Sequence, residues 1–162
     1  MNPPKHRLIE TRAEFRAAVL QAFADIAAAG SRAVWMCDED FSDWPLDEPS
    51  VIGHLSQWAV AHRTCTVLAL HYDAIQRRHP RWTQWRRQRA HVVQCRTPDE
   101  ADRHHLPCVL VAPGTLTLRL LDRAQCRGSV SADLPDAVRE RDQLDALLQR
   151  SIDAFPASTL GL

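Results

Sequence analysis

Short apolar runs alternate with helical patterns along most of this chain, and this alternation limits the folds open to it. Three runs suit buried strands and two more flank Pro113-Gly114: 33–37, 66–70, 91–95, 108–111 and 115–121. Strands separated by helices predict parallel pairing, and a Pro-Gly turn between two apolar runs predicts a hairpin. We therefore expect an α/β fold with a mixed, mostly parallel sheet, a C-terminal antiparallel hairpin and flanking helices.

Helix ends are marked by side chains that can satisfy free backbone groups. Thr11-Arg12-Ala13-Glu14 has the form of a capping box, and Gly30 suits the end of the helix that follows. Ser50 and Asp73 are predicted to cap the second and third helices, and the third is interrupted at Pro80 and resumes from 81 to 90. A last helix is predicted from 136 to 155.

The 162 residues are expected to form one domain, with 1–10 as an N-terminal arm and 156–162 as a C-terminal tail. Hydrophobic residues make up 45% of the chain and charged residues 25%, as in soluble proteins. No apolar run approaches the roughly 20 residues of a membrane span, and the N-terminus lacks the pattern of a secretory signal. A cytoplasmic location is therefore expected.

The five cysteines are odd in number, and no two are spaced as CxxC: Cys37, Cys65, Cys95, Cys108 and Cys126. A disulfide scaffold or a zinc site is therefore disfavoured. Because three of the five lie in apolar runs, we expect reduced thiols within the core.

Basic residues are nearly all arginine, and Lys5 is the one lysine of the sequence. The five glycines are scattered, so no Gly-rich phosphate loop or dinucleotide fingerprint is present. A Schiff-base lysine is also excluded, because Lys5 lies in the expected N-terminal arm. Twenty basic residues balance twenty acidic ones, so bulk charge gives no argument for nucleic acid or membrane.

Polar side chains follow the predicted parallel strands at their carboxyl ends, where ligands collect in open α/β sheets. Asp38 and Asp40 follow the first strand, and His71 and Asp73 follow the second. Together they could bind a divalent metal or perform acid/base chemistry. The simpler interpretation is that strand ends become polar at the surface and that the aspartates cap helices. Without a metal-ligand spacing, no metal and no cofactor are predicted.

Two further segments are candidates for chemistry or binding. His104 and His105 directly precede the hairpin. Adjacent side chains point in different directions, so at most one of the two histidines is expected to face a given site, and the simpler interpretation is a solvated pair in a loop. Arginines interleave with Trp82 and Trp85 in a second segment: Arg77, Arg78, Arg81, Arg86, Arg87 and Arg89. This segment could bind nucleic acid, or it could meet the acidic stretch 38–48, which holds six acids and no base. Tryptophans three residues apart more often pack on a sheet than stack on bases.

The order of elements, with the His104-His105 segment and the Pro-Gly hairpin, resembles one half of a phospholipase D-like domain. It looks especially similar to small bacterial domains of that superfamily. The superfamily signature is His-x-Lys, four residues, then Asp and usually Gly. Its histidine attacks phosphorus, and its lysine neutralises the phosphate oxygens.

The signature is degenerate in either possible alignment. With His105 at the histidine position, Pro107 and Ala112 replace the lysine and the aspartate. With Gly114 at the glycine position, Leu106 and Pro113 replace the histidine and the aspartate. Arg103 or Arg119 could supply positive charge, although an arginine fork does not reproduce the point charge of an ammonium.

The resemblance therefore implies a non-catalytic phospholipase D-like domain that acts as a binding or interaction module. Its ligand-binding candidates are Asp38, Asp40, His71, Asp73, His104 and Arg119. A homodimer is expected because half-domains of this kind often pair and because Trp44, Trp82 and Trp85 are expected at the surface. One alternative is an enzyme that handles phosphodiesters or nucleotides through His105. The other is nucleic-acid binding through Arg77–Arg89.

Overall fold

The structure is a computed structural model, and it describes residues 6–156. Five helices are present in this range: α1 (Arg12–Ala29), α2 (Pro49–Trp58), α3 (Tyr72–Arg78), α4 (Pro80–Arg87) and α5 (Leu134–Gln149). The strands are β1 (His6–Ile9), β2 (Ala33–Cys37), β3 (Thr64–Leu68), β4 (Val93–Thr97), β5 (Cys108–Ala112), β6 (Leu116–Asp122), β7 (Arg127–Ser131) and β8 (Ile152–Asp153). Lys5 and residues 157–162 of the expected tail lie outside the described residues.

All eight strands form one sheet in the order β1-β7-β6-β5-β2-β3-β4-β8. The pairs β2–β3 and β3–β4 are parallel, and the other five pairs are antiparallel. The predicted α/β class, mixed sheet and C-terminal hairpin are confirmed. Antiparallel pairing is more frequent than expected, because β1, β7 and β8 were not predicted and because β2 pairs antiparallel with the hairpin strand β5. The segment expected to be an N-terminal arm thus contributes an edge strand from His6 to Ile9.

The ends of α1 are those that the sequence predicts. The Thr11 hydroxyl accepts a hydrogen bond from the Glu14 amide at 3.1 Å, and the Glu14 carboxylate accepts one from the Glu10 amide at 2.8 Å. Gly30 adopts a left-handed φ of 66°, and its N–H donates to the carbonyl of Ile26. Both helix ends therefore have partners for backbone groups that a helix leaves free.

Other predicted boundaries are wrong by a few residues. Ser50 lies inside the first turn of α2, whose N-cap is Glu48 and whose first residue is Pro49. Asp73 lies in the first turn of α3, with His71 at the N-cap. The last helix ends at Gln149, and Phe155 instead stacks on Tyr72 with ring centroids 5.2 Å apart. At α2 the proline at the first helical position sets the start more strongly than the nearby capping side chain of Ser50.

Hydrophobic packing differs between the two faces of the sheet. Helices α1 to α4 contribute to the larger apolar cluster, which includes Phe15, Leu55 and Ile75. A smaller cluster joins Val109 and Val111 of β5 to Ala137 and Leu144 of α5. Within residues 6–156, α5 is the only helix that contributes to this second cluster. One face of the sheet is thus covered by four helices and the other by one.

The large aromatic side chains and the thiols are core residues. Trp44, Trp82 and Trp85 are 1%, 1% and 3% exposed, so the expectation that they lie at the surface is wrong. Their planar apolar rings instead fill the core beneath α1 and α4, as the packing interpretation of Trp82 and Trp85 predicted. All five cysteines are buried and unpaired, as expected. Among the described residues no helix is long and apolar enough to cross a membrane.

Candidate functional site

A cleft of about 520 Å³ lies where the start of β5 and the end of β6 meet α5. Two histidines, two arginines and Gln143 supply its polar groups, and the full lining is His104, His105, Leu106, Pro107, Cys108, Arg119, Leu120, Leu121, Arg123, Gln143, Ala146 and Leu147. We call it the β6–α5 cleft. Antiparallel pairing of Cys37 with Val109 brings the end of β2 beside the start of β5. The strand-end acids of β2 are thereby placed next to the cleft.

Arg123 links the cleft to these acids. Its Nε lies 2.7 Å from the Asp38 carboxylate, its Nη1 lies 2.6 Å from Glu39, and its Nη2 lies 3.4 Å from Asp40. Asp38 is 2% exposed and also accepts a hydrogen bond from the Phe41 amide at 3.0 Å. Burial raises the pKa of Asp38 above its ordinary value, and the attraction of Arg123 opposes that rise. The guanidinium of Arg123 is therefore held by three carboxylates of its own chain.

Arg119, the second arginine of the cleft, is also ion-paired. It projects from β6, and its Nη1 donates to a carboxylate oxygen of Glu140 on α5. Glu140 is 6% exposed, whereas a third of the Arg119 side chain is open to solvent. The pair ties α5 to the sheet and neutralises the charge that Arg119 would offer to a ligand.

His104 and His105 both line the cleft, and both are exposed. They follow a short 3₁₀ turn at Glu100–Asp102, and the His105 amide donates to the Asp102 carbonyl at 3.0 Å. The irregular backbone here brings both adjacent histidines to the lining of the same cleft, and which of the two imidazoles would face a ligand stays a prediction.

His71 and Asp73 are exposed at the start of α3 and do not line the cleft. The end of β3 nevertheless touches the acidic loop, because the His71 amide donates to the Glu39 carbonyl at 3.1 Å. The structure thus brings together Asp38 and Asp40 around Arg123, and His104, His105 and Arg119 in the cleft. Among the described residues no hydrogen bond or ion pair joins the side chain of His71 or Asp73 to either group.

The arginine-rich segment divides into paired, buried and exposed members. Arg81 pairs with Asp47, with its amide 2.6 Å and its Nη1 3.8 Å from the carboxylate. This contact agrees with the idea that the acidic stretch and the basic segment meet within one molecule. Arg86 is buried and Arg89 half-buried, whereas Arg77, Arg78 and Arg87 are exposed. With Trp82 and Trp85 in the core, this segment offers no aromatic rings for base stacking.

Three polar residues of the site were not predicted: Arg123, Glu140 and Gln143. Arg123 follows the hairpin directly, yet no local pattern connects it with Asp38, which lies 85 residues earlier. From the sequence alone, Glu140 would be predicted to lie on the solvent-exposed polar face of the last helix. A separate group was not predicted for the same reason: ligand atoms of His6, Asp133 and Asp136 lie within 4.8 Å of one another. Asp136 in this group already accepts from Ser131 and pairs with Arg139.

The chain is similar to known proteins in its family and in its fold. A family model described as "Domain of unknown function (DUF7931)" matches residues 15–155. The structure is similar to Nuc of Salmonella typhimurium, a phospholipase D family member, with a TM-score of 0.62 and 10% identity over 94% of this chain and 99% of that one. No curated protein matches the sequence.

A second solved structure with this fold is TrmBL2, described as an archaeal chromatin protein with a novel mode of DNA binding. The TM-score is 0.67 at 9% identity, over 95% of this chain. The chain spans 56% of the length of TrmBL2. Both likenesses show the fold, and the predicted phospholipase D-like fold is therefore confirmed.

Proposed function

The chain belongs to the DUF7931 family, and from that premise we propose that it is a non-catalytic phospholipase D-like domain that works as a binding or interaction module. The observation that carries the proposal is the state of the two arginines in the β6–α5 cleft. Arg119 is paired with Glu140, and Arg123 with Asp38, Glu39 and Asp40. Positive charge that a phosphodiesterase keeps for phosphate oxygens is here taken up by carboxylates of the same chain.

The position of the hairpin turn supports a degenerate signature. The Thr115 amide donates to the Ala112 carbonyl at 2.9 Å, and Gly114 has a φ of 87°. In the alignment on Gly114, Leu106 and Pro113 stand at the histidine and aspartate positions. Neither residue can attack phosphorus or orient a base.

Hydrolysis of bis(4-nitrophenyl) phosphate tests the absence of catalysis. We expect the purified protein and its His105→Ala variant to give the same background rate, with and without added divalent metal. A rate above background that is lost in His105→Ala would overturn the proposal. It would instead establish the second candidate, a phosphodiester-handling enzyme, which the shared location of His105, Arg119 and Arg123 in one cleft favours.

We propose further that the module forms a homodimer through the outer side of α5. A groove of about 760 Å³ lies there, with apolar side chains of Leu134, Pro135, Val138 and Ala146 beside Arg139 and Asp142. Leu134 is 54% exposed. In a two-fold interface each residue meets its counterpart reciprocally, so antiparallel α5 helices can place Arg139 opposite the Asp142 carboxylate of a second copy. Within one chain Arg139 pairs with Asp136 and Asp142 pairs with Arg141, and because Arg139 and Asp142 are largely exposed, these weak pairs can be exchanged for pairs between two copies. This self-complementary charge pattern, next to apolar surface, favours a second copy as the occupant.

Charge reversal tests this dimer. We expect light scattering to give a dimer mass for the natural sequence and a monomer mass for Arg139→Asp, because the latter places carboxylates opposite one another. The double variant Arg139→Asp, Asp142→Arg restores the opposite charges and should restore the dimer. A monomer mass for the natural sequence at high micromolar concentration, or a dimer unaffected by Arg139→Asp, would contradict this interface.

Nucleic-acid binding through the arginine segment is a third candidate, favoured by the exposed side chains of Arg77, Arg78 and Arg87. It predicts binding to single- or double-stranded DNA that weakens steeply with added salt. The triple change of these arginines to glutamine should abolish that binding, whereas Arg150→Gln, at an exposed arginine outside the segment, should leave it intact. Absence of a mobility shift at low salt would remove this candidate.

A further inference from the structure

Arg86 is a buried arginine that forms no ion pair with a carboxylate of residues 6–156. It lies on α4, is 5% exposed, and donates from Nη2 to the Phe155 carbonyl at 3.2 Å. Its Nε and Nη1 have no hydrogen-bond partner, and no ion pair involves it within residues 6–156. The neighbouring arginines Arg81 and Arg96, in contrast, pair with Asp47 and Asp153.

A buried charge without a counter-charge is unusual in a folded protein. Transfer of an ionised side chain out of water is costly unless hydrogen bonds or an opposite charge compensate it. Buried donors without partners therefore call for an explanation, and an absent ion or water is a common one. One carbonyl oxygen satisfies only a part of the five-donor guanidinium of Arg86.

Arg86 lines a cavity of about 560 Å³ at the edge of the sheet formed by β4 and β8. Apolar walls are supplied by Ala90, Val93, Ala154 and Pro156, and Asp153 is a further member of the lining. In the sheet order, β5, β2 and β3 lie between this edge and the β6 strand of the cleft. The cavity is therefore separate from the β6–α5 cleft.

We propose that this cavity binds a carboxylate with a small apolar body, whose charged end pairs with Arg86. A planar guanidinium matches a carboxylate with two parallel hydrogen bonds. The apolar walls suit an alkyl chain. A phosphate dianion fits less well, because the cavity offers one guanidinium and also contains the Asp153 carboxylate, which repels a second negative charge.

The thiol of Cys95, which also lines the cavity, does not replace the missing anion. Burial raises the pKa of Cys95 to about 11, although Arg86 acts to lower it. The thiol is therefore neutral at physiological pH and leaves the charge of Arg86 uncompensated. A bound carboxylate supplies the compensation.

Titration with butanoate, followed by amide resonances in NMR spectra, tests the proposal. We expect saturable shifts at the amides of Val93, Cys95 and Ala154, and a rise in Tm with butanoate over chloride at equal ionic strength. Inorganic phosphate should give neither effect. An acetylated dipeptide with a free carboxylate, compared with its amide, distinguishes a chain terminus from a free acid as the source of the carboxylate.

Matched variants locate the binding. Arg86→Met removes the charge and should abolish the butanoate shifts, whereas Arg87→Met, at the exposed neighbour on the same helix, should preserve them. Ala90→Phe fills the cavity from an exposed position and should abolish binding with Arg86 retained, which covers a failure of Arg86→Met to fold. Absence of saturable shifts in the natural sequence, their persistence in Ala90→Phe, or binding of phosphate in preference to butanoate would overturn the proposal.

Discussion

At the scale of single residues, the chemistry of the cleft depends on which carboxylates reach its arginines. Arg119 and Arg123 are each about one-third exposed, while their partners Glu140 and Asp38 are almost fully buried. Burial of a carboxylate is tolerable only with a partner, so each acid holds its arginine in place. The histidines beside them keep no such partner among the described ion pairs. Their imidazoles remain available to a ligand or to solvent.

Removing the Glu140 carboxylate is expected to destabilise the fold. Glu140→Gln should lower the free energy of unfolding by about 2 kcal/mol, since Arg119 loses its counter-charge but keeps some solvent contact. A double-mutant cycle with Arg119→Met, by denaturant unfolding, measures the coupling. Asp145→Asn, at an exposed acid on the same helix, is the control and should change stability little. A coupling energy near zero would contradict the role of this pair.

Asp102 is expected to make the stability of the fold depend on pH in the acid range. The hydrogen bond from Arg150 lowers the pKa of Asp102 from its ordinary value of 3.8. A lowered folded pKa contributes stability that is present above the unfolded pKa and is lost as pH falls through the folded one. Arg150→Gln should raise the Asp102 pKa toward 3.8 in an NMR titration. An unchanged pKa in Arg150→Gln, with Arg141→Gln as the control, would refute this cause.

At the scale of elements, local signals located α1 and the hairpin but did not reveal β7. Thr11, Glu14 and Gly30 act on backbone groups within a few residues, so their effect can be predicted from sequence. β7 reads Arg-Gly-Ser-Val-Ser and has no apolar run of its own. It becomes a strand because β6 on one side and β1 on the other both pair with it. Its conformation follows from tertiary pairing rather than from propensity.

Gly128 of β7 is expected to tolerate no side chain. A Cβ at this position would lie 1.9 Å from the Arg119 carbonyl oxygen and 2.7 Å from the Leu120 Cα, next to the irregular pairing at Leu120 and Asp122. Backbone cannot move aside cheaply, so Gly128→Ala should cost about 3 kcal/mol or more in denaturant unfolding.

Gly53 provides the matched control on α2. Nothing lies within 4 Å of a Cβ placed there. Gly53→Ala should therefore stabilise the protein by about 0.5–1 kcal/mol through helix propensity. Equal effects of the two substitutions would show that the close approach at Gly128 is not real.

At the scale of the whole molecule, one sheet separates a thick helical layer from a thin one. Helices α1 to α4 and four of the five tryptophans, all but Trp35, fill one side. Among the described helices, α5 alone packs on the other side through the smaller apolar cluster. This asymmetry leaves the outer side of α5 uncovered by any other described helix, and it is there that we propose the dimer interface. Four of the five thiols lie on the central strands β2, β3, β4 and β5 of this sheet.

These four thiols are expected to report global unfolding. Burial raises the pKa of Cys37, Cys65, Cys95 and Cys108, so each is a neutral thiol without solvent access at neutral pH. Labelling with a thiol reagent should be slow in the native protein and should accelerate with denaturant in step with unfolding. Cys126, in the turn before β7, should react first. Rapid native labelling of several thiols would contradict the packing of this sheet.

The sequence by itself determined the α/β class, the parallel order of β2, β3 and β4, the capped first helix, the hairpin and the buried thiols. Each follows from local periodicity, capping or turn chemistry, which act over a few residues. It also located part of the candidate site, because polar groups at strand ends and His104-His105 stand out locally. Only the tertiary structure decided that Arg123 meets Asp38, that Arg119 meets Glu140 and that Arg86 is buried without an ion pair among the described residues. Such contacts join residues far apart in the chain, and their energies depend on burial and distance, which no local pattern of side chains encodes.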